Sequence, residues 1–240
     1  MLQFGAIEAE RVPSDHAMAL SFGRGLEMER PASPTTKREF DLIRLIDVIL
    51  ATAALVFLAP LLLPIAALIK LQDGGPIFFA HRRIGMDGRT FHCLKFRSMV
   101  VDAEARLAEY LAKSPEAQLE WAQDHKLRND PRITKLGAFL RKSSLDELPQ
   151  LINVLRGEMG VVGPRPIVQA EIVRYGRTFR HYCSVRPGIT GLWQVSGRND
   201  VSYRRRVALD RAYARSKCLA VYLGIIVKTI PAVLSRSGSY

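Results

Sequence analysis

Two adjacent carboxylates, Asp146 and Glu147, stand in the stretch RKSSLDELPQLINVLRGEMGVVGPRP, with Arg141 before them and Arg165 after them, between Pro164 and Pro166. Acids set among arginines can work on an anionic ligand: the cations offset its charge while a carboxylate attacks, takes a proton or holds a metal. The same letters also spell a helix start. Ser144 and Glu147 have capping-box spacing, and Leu148, Leu151, Ile152 and Leu155 follow at helical intervals, so the pattern predicts a helix opening after Ser144. The residues alone leave both readings open.

More cations lie elsewhere. The stretch GGPIFFAHRRIGMDGRTFHCLKFRSM has two apolar-rich runs around the turn signal MDG, which predicts a β-hairpin carrying Arg82, Arg83, Arg89, Lys95 and Arg97. Such strands could face lipid phosphates or a phosphate substrate. The loop VRPGITGLWQVSGRND adds Arg186 and Arg198, with glycines that let the backbone approach a ligand closely.

Composition narrows what these groups meet. In 240 residues, 35 Lys and Arg outnumber 23 Asp and Glu, a net charge of +12, so the preferred partners are anionic: nucleic acid, acidic headgroups or phosphate substrates. Cys93, Cys183 and Cys218 are scattered and form no disulfide framework, which points to a reducing, cytosol-facing setting. The histidines (His16, His81, His92, His125, His181) show no zinc-ligand pattern.

The elements that must position these groups begin with a membrane segment. From Val48 to Ile69 run 22 uncharged residues, roughly 33 Å as a straight helix at about 1.5 Å per residue. Pro60 and Pro64 lie inside it and predict a bend near Ala59 and Pro60. Lys37, Arg38 and Arg44 precede the segment and Lys70, Arg82 and Arg83 follow it. Basic flanks at both ends fit a re-entrant hairpin better than a crossing, with a kinked crossing helix as the alternative. Residues 1–36 lack a sustained apolar period and read as a mobile tail. Residues 102–123 read as scaffold helices interrupted near Ser114 and Pro115. The stretch from Ser202 to Leu234 is first basic and amphipathic, then apolar, and reads either as a membrane-surface helix or as a core helix.

With these motifs in order, the chain from about Lys37 to its end resembles the bacterial sugar transferases. These are the small monotopic phosphoglycosyl transferases, which move a sugar phosphate from a UDP-sugar to a polyprenyl phosphate. The resemblance rests on the membrane helix followed by GGPIFF, RRIG, KFRSM, LRKSSLDELPQLINVLRGEMGVVGPRP and RPGITGLWQVSGR. Within the family, DGGPIFFAHRRIG, RNDVSYRRRVA and KTIPAVLSRSGSY most resemble the exopolysaccharide-initiating undecaprenyl-phosphate galactose phosphotransferases of rhizobia. Where the family often has Ser before the helix-breaking proline, this chain has Ala59, so a polar backbone cap at the bend is missing.

The resemblance implies a mostly helical α/β monotopic membrane protein in three parts. These are a tail at 1–36, a re-entrant, proline-broken membrane helix at 37–72, and a catalytic domain at 73–240 with a small β-hairpin and a C-terminal interfacial helix. The catalytic domain would lie on the cytoplasmic face of the bacterial inner membrane. Asp146 would attack the sugar-bearing phosphorus and expel UMP, after which the lipid phosphate would take the phosphosugar from it. Glu147 would act as base or help orient Mg2+, which Asp146 would hold. Arg165, restrained by its two prolines, would bind phosphate together with Lys95, Arg97 and Arg141, then Arg186 and Arg198; Asp130 and Arg132 would shape the same site. The implied partners are a UDP-sugar donor, undecaprenyl phosphate and membrane lipids, with no nucleic acid. Galactose is the first choice of sugar and glucose the second, and no oligomeric state is implied. Two readings of other classes stand beside this one: a basic, membrane-tethered nucleic-acid binder and a non-catalytic membrane scaffold. Neither needs the acid pair or the GPRP turn.

Overall fold

In lipid every backbone amide needs a partner within its own segment, and a long uncharged stretch satisfies this as a helix. Here it forms the middle of α1 (Lys37–Asp73). In the computed structural model, residues 37–124, 127–197 and 201–234 are described, within one unit spanning Pro31–Tyr240. The expected tail at 1–36, His125 and Arg198 lie outside the described residues. Helical structure continues through Pro60 and Pro64, so the apolar segment belongs to a single helix with both prolines inside it. Each proline removes a single amide donor, and the rest of the ladder carries the helix past it. By length and composition Arg38–Asp73 can cross a membrane.

One stripe of α1 is buried, at Ile43, Asp47 and Ala51 and again at Ile65 and Ile69, while Val56, Phe57, Leu63 and Leu71 are exposed. Both ends of this stripe belong to the same unit. Near the start, Asp47 accepts hydrogen bonds from Val161 N at 2.7 Å and Tyr222 Oη at 2.6 Å, and Arg44 donates to the carbonyls of Val154 at 2.7 Å and Leu155 at 3.1 Å. Near the end, Arg97 pairs with Asp73 and donates to Ile69 O at 3.3 Å. Ile65 and Ile69 pack there with Phe96 and Leu140.

The hairpin is present as expected. Strands β1 (Phe78–Ile84) and β2 (Thr90–Phe96) are antiparallel, with Phe79 opposite Lys95, His81 opposite Cys93 and Arg83 opposite Phe91. The MDG turn holds Asp87 at φ 57° and Gly88 at φ 71°, the left-handed conformation such residues tolerate best. The interruption near Ser114 also stands, between α2 (Ala103–Lys113) and α3 (Pro115–Asp124).

Around the acids the sequence reading needs correction. Helix α4 (Lys135–Ser143) starts from Thr134, whose side chain accepts from Gly137 N at 2.9 Å, and it ends at Ser144 in the left-handed conformation, φ 57°. Ser144 makes no side-chain cap, residues Leu145–Glu147 form one 3-10 turn, and α5 (Gln150–Leu155) begins only after Pro149. The reason is Pro149. In a helix opened at Ser144 its missing N–H would be owed to the Leu145 carbonyl, whereas ahead of the first turn of α5 it costs nothing.

Two three-residue strands, β3 (Gly160–Val162) and β4 (Gly188–Thr190), pair in parallel and were not expected. They bring GPRP against RPG so closely that a Cβ on Gly163 would stand 2.2 Å from Arg186 O, and one on Gly188 2.0 Å from Gly163 N. Short helices α6 (Ile172–Tyr175), α7 (Phe179–Cys183) and α8 (Leu192–Val195) follow, then α9 (Tyr203–Ser216) and α10 (Leu219–Leu234). Tyr213 of α9 and Tyr222 and Ile225 of α10 share a core with Ile43 and Val162. The terminal helix therefore serves the core on one face while exposing Leu223, Val227 and Ile230 on another.

Candidate active site

Two polar locks place the acids against the hairpin. Asn153 of α5, fully buried, accepts from Leu94 N at 2.9 Å and donates to His92 O at 2.8 Å and Glu158 Oε2 at 2.6 Å, which fixes β2 beside the acidic turn. Lys95 then reaches down from β2. Its Nζ lies 2.6 Å from Glu147 Oε1 and 3.8 Å from Asp146 Oδ2. Arg165, exposed and held between its prolines, approaches the same Glu147 oxygen at 3.6 Å. Arg83 donates to Pro166 O at 3.2 Å and stands 3.8 Å from Glu171. Strand alternation puts Arg83 on the same face of the hairpin as Lys95 and Cys93, and all three line an open cleft with Glu147, Gln150, Arg165, Pro166, Gly188, Ile189 and Gln194.

The two acids differ sharply in setting. Asp146 is buried, and this burial pushes its carboxyl up, a rise that Lys95 and Arg141 only partly offset and the neighbouring Glu147 charge adds to. Burial would raise Glu147 as well, but Lys95, Arg165 and Arg83 outweigh it and hold that carboxyl below its ordinary value. One carboxylate is thus committed to two cations, while the other is loosely paired and more basic. A pair pushed apart in this way can divide the labour of nucleophile and charge-fixing partner. Burial also pushes the Cys93 thiol up, so it stays protonated in the cleft.

Of the six cations expected at the site, Lys95 and Arg165 touch the acids. Arg141 stands behind them: its Nε donates to Ser98 Oγ at 2.8 Å, and the charges of Asp146 and Asp130 act on it. Asp130 is taken up by Arg132 in a two-pronged pair at 2.8 and 2.7 Å. Arg97 and Arg186 are not brought to the acids. Arg97 is committed to Asp73 and Ile69 O, and Arg186 donates to Gly157 O at 2.9 Å beneath the Phe40 ring. Guanidinium groups go to the acceptors that tertiary packing supplies, here Asp73 and Ile69 O near the end of α1 for Arg97 and the Gly157 carbonyl for Arg186. Asn153, Gln150 and Gln194 escaped the sequence reading as site residues, and Arg83 entered it only as one of the hairpin cations; the hairpin register is what singles it out. Among the described residues no group of three or more His, Cys, Asp or Glu could hold a metal by itself.

The chain can now be set beside known proteins. A family model described as Bacterial sugar transferase matches residues 38–236. The chain is 51% identical over 211 residues to the exopolysaccharide production protein ExoY of Rhizobium meliloti (strain 1021), covering 88% of this chain and 91% of that one. It is 48% identical over 197 residues to the undecaprenyl-phosphate galactose phosphotransferase of Salmonella typhimurium, covering 82% of this chain and 41% of that longer protein. It is 41% identical over 203 residues to the UDP-glucose:undecaprenyl-phosphate glucose-1-phosphate transferase of Xanthomonas campestris pv. campestris, covering 81% of this chain and 39% of that one. A match running from the start of α1 to beyond the end of α10 takes in the acidic turn, the hairpin and the GPRP loop together, and the chain belongs to the bacterial sugar transferase family.

Proposed function

We propose that this chain transfers a hexose-1-phosphate, galactose-1-phosphate first, from a UDP-sugar to undecaprenyl phosphate as the first membrane step of exopolysaccharide synthesis. The observation that carries this reading is the division between Asp146, buried and loosely paired, and Glu147, tied to Lys95 and Arg165 at the cleft. A carboxylate oxygen of Asp146 attacks the sugar-bearing phosphorus, and the bond from that phosphorus to the bridging oxygen breaks, releasing UMP. An oxygen of the lipid phosphate then attacks the same phosphorus, the bond to Asp146 breaks, and the polyprenyl diphosphate sugar leaves. Lys95, Arg165 and Arg83 offset the charge of the two phosphates, and Glu147 orients the cations or receives a proton from the acceptor. The galactose assignment is supported by the 48% identity to a galactose phosphotransferase, against 41% to a glucose-1-phosphate transferase.

Asp146, with Glu147 beside it, would hold Mg2+. The donors are carboxylate oxygens, and a hard cation that takes only one or two protein carboxylates and fills its other positions with phosphate and water fits them. When bound it supplies positive charge against the diphosphate.

The membrane topology is part of the proposal: α1 enters and leaves the cytoplasmic face, bending near Pro60, with the catalytic part at 73–240 on that face and α10 at the interface. In its support, Asp47 and Ile69, near opposite ends of the apolar stretch, are anchored to one and the same unit, whereas a crossing helix would separate its ends by the thickness of the hydrocarbon.

The test is UMP release from a panel of UDP-sugars, with and without undecaprenyl phosphate. UDP-galactose should give a sustained, lipid-dependent release exceeding that from UDP-glucose. Release from no UDP-sugar under any condition would overturn the reading.

A further inference from the structure

Gln150 and Asn153 lie one turn apart on α5, both buried, and their amides are used in opposite ways. Asn153 spends its side chain on β2 and Glu158. Gln150, only 4% exposed, lines the cleft, yet its side-chain amide makes no hydrogen bond with any described residue. Across the cleft Gln194 of α8 donates its Nε2 to Ile189 O at 2.9 Å and leaves a buried Oε1 with no partner. A buried acceptor without a partner is costly, and Gln150 presents an unbonded amide to the same cleft, so this wall is built for something that arrives.

The chemistry of that arrival follows from what else lines the cleft. Arg83, Lys95, Glu147 and Arg165 are charged and suit phosphate and metal. A carboxamide offers both a donor and an acceptor without charge, which is what a sugar hydroxyl needs. Gln150 follows Asp146 and Glu147 immediately in the chain, across only Leu148 and Pro149, and so borders the phosphorus that Asp146 attacks. The group carried on that phosphorus is the hexose; the uridine lies one phosphate further away. We infer that Gln150, with Gln194 opposite, binds the hydroxyl groups of the transferred hexose and sets which hexose is accepted. This rests on the assignment of Asp146 as nucleophile.

The experiment compares wild type with Gln150→Met and Gln194→Met in the full-length protein in detergent. It reads kcat/KM for UDP-galactose and UDP-glucose, inhibition by UMP, the melting temperature, and the mass of any adduct formed at saturating donor. Met keeps the length of the side chain and removes its hydrogen bonding. Each variant should lose about tenfold in kcat/KM for the preferred UDP-hexose, the scale of one buried neutral hydrogen bond. The preference between the two hexoses should shrink toward parity, while UMP inhibition and melting temperature stay within error of wild type. An unchanged hexose preference overturns the inference, and so does UMP inhibition weakened in parallel, because the amide would then serve the uridine. Loss of the fold in Gln150→Met would show that the amide serves the protein interior and overturns it too. The adduct separates the two assignments: if wild type and the variants all form it at saturating donor, the nucleophile reading stands whatever the hexose result.

Discussion

The Lys95 ammonium lies 2.6 Å from Oε1 of Glu147, a strand residue and a turn residue brought together by the Asn153 lock between α5 and β2. This cation also faces Asp146 at 3.8 Å, so its charge opposes the effect of burial on both acids.

Lys95→Met should therefore move the pH dependence of the reaction. The lysine charge lowers both carboxyls, so removing it raises both: Asp146 further above its ordinary value, where burial already holds it, and Glu147 from its lowered position. A nucleophilic carboxylate is lost as it protonates, and the acid limb of the rate profile should shift to higher pH, with a deficit that is smaller at pH 8 than at pH 6. UMP release across that range checks this. A uniform loss with an unmoved acid limb would show that Lys95 acts on substrate alone.

Ser144 holds a left-handed conformation at φ 57° and makes no side-chain cap, so glycine suits the position better. Ser144→Gly should stabilise the protein by about 0.5–1 kcal/mol and keep most of the activity. Thermal unfolding reads the difference. A loss of a few tenths of a kcal/mol instead would mean that the hydroxyl is a cap after all.

The buried carboxyl of Asp210, which accepts from Tyr175 Oη at 2.8 Å, is pushed up to about 7 by burial, against the pull of Tyr175 and Arg206. Between its ordinary 3.8 and about 7 the folded protein keeps a proton that the unfolded chain has released, so stability falls as pH rises through that window. Asp210→Asn mimics the protonated form. It should leave stability nearly unchanged at pH 4 and raise it at pH 8, by up to about 4 kcal/mol. Melting temperatures at the two pH values check the sign, and a variant less stable at pH 8 than wild type contradicts it.

Much of this arrangement was legible in the sequence, and the misses have physical causes. The hairpin announced itself through alternation around MDG, and α1 through its uncharged length, because both signals are local. The acids were visible as acids, but their helix start was misread: Ser144 and Glu147 match a cap, and Pro149 forbids the helix that the cap would open. Strands β3 and β4 are too short to show a period and pair across a distant stretch of chain. The resemblance implied Arg97 and Arg186 as phosphate ligands; their acceptors at Asp73 and Gly157 come together only once the chain is folded. Gln150 and Gln194 carry no charge to mark them; their place in the cleft wall and the unpaired Oε1 of Gln194 appear only in the folded chain.

The central claim, that Asp146 carries the phosphosugar, is tested most directly by mass. A short reaction with donor labelled in the sugar phosphate and no lipid acceptor is denatured, and the peptide bearing Asp146 is analysed. Wild type should show a hexose-phosphate adduct on that peptide with UMP released in proportion, and Asp146→Asn, which keeps the size of the side chain but not its charge, should show neither while remaining folded. Near-normal turnover by folded Asp146→Asn, or an adduct carried by a different residue, would contradict it.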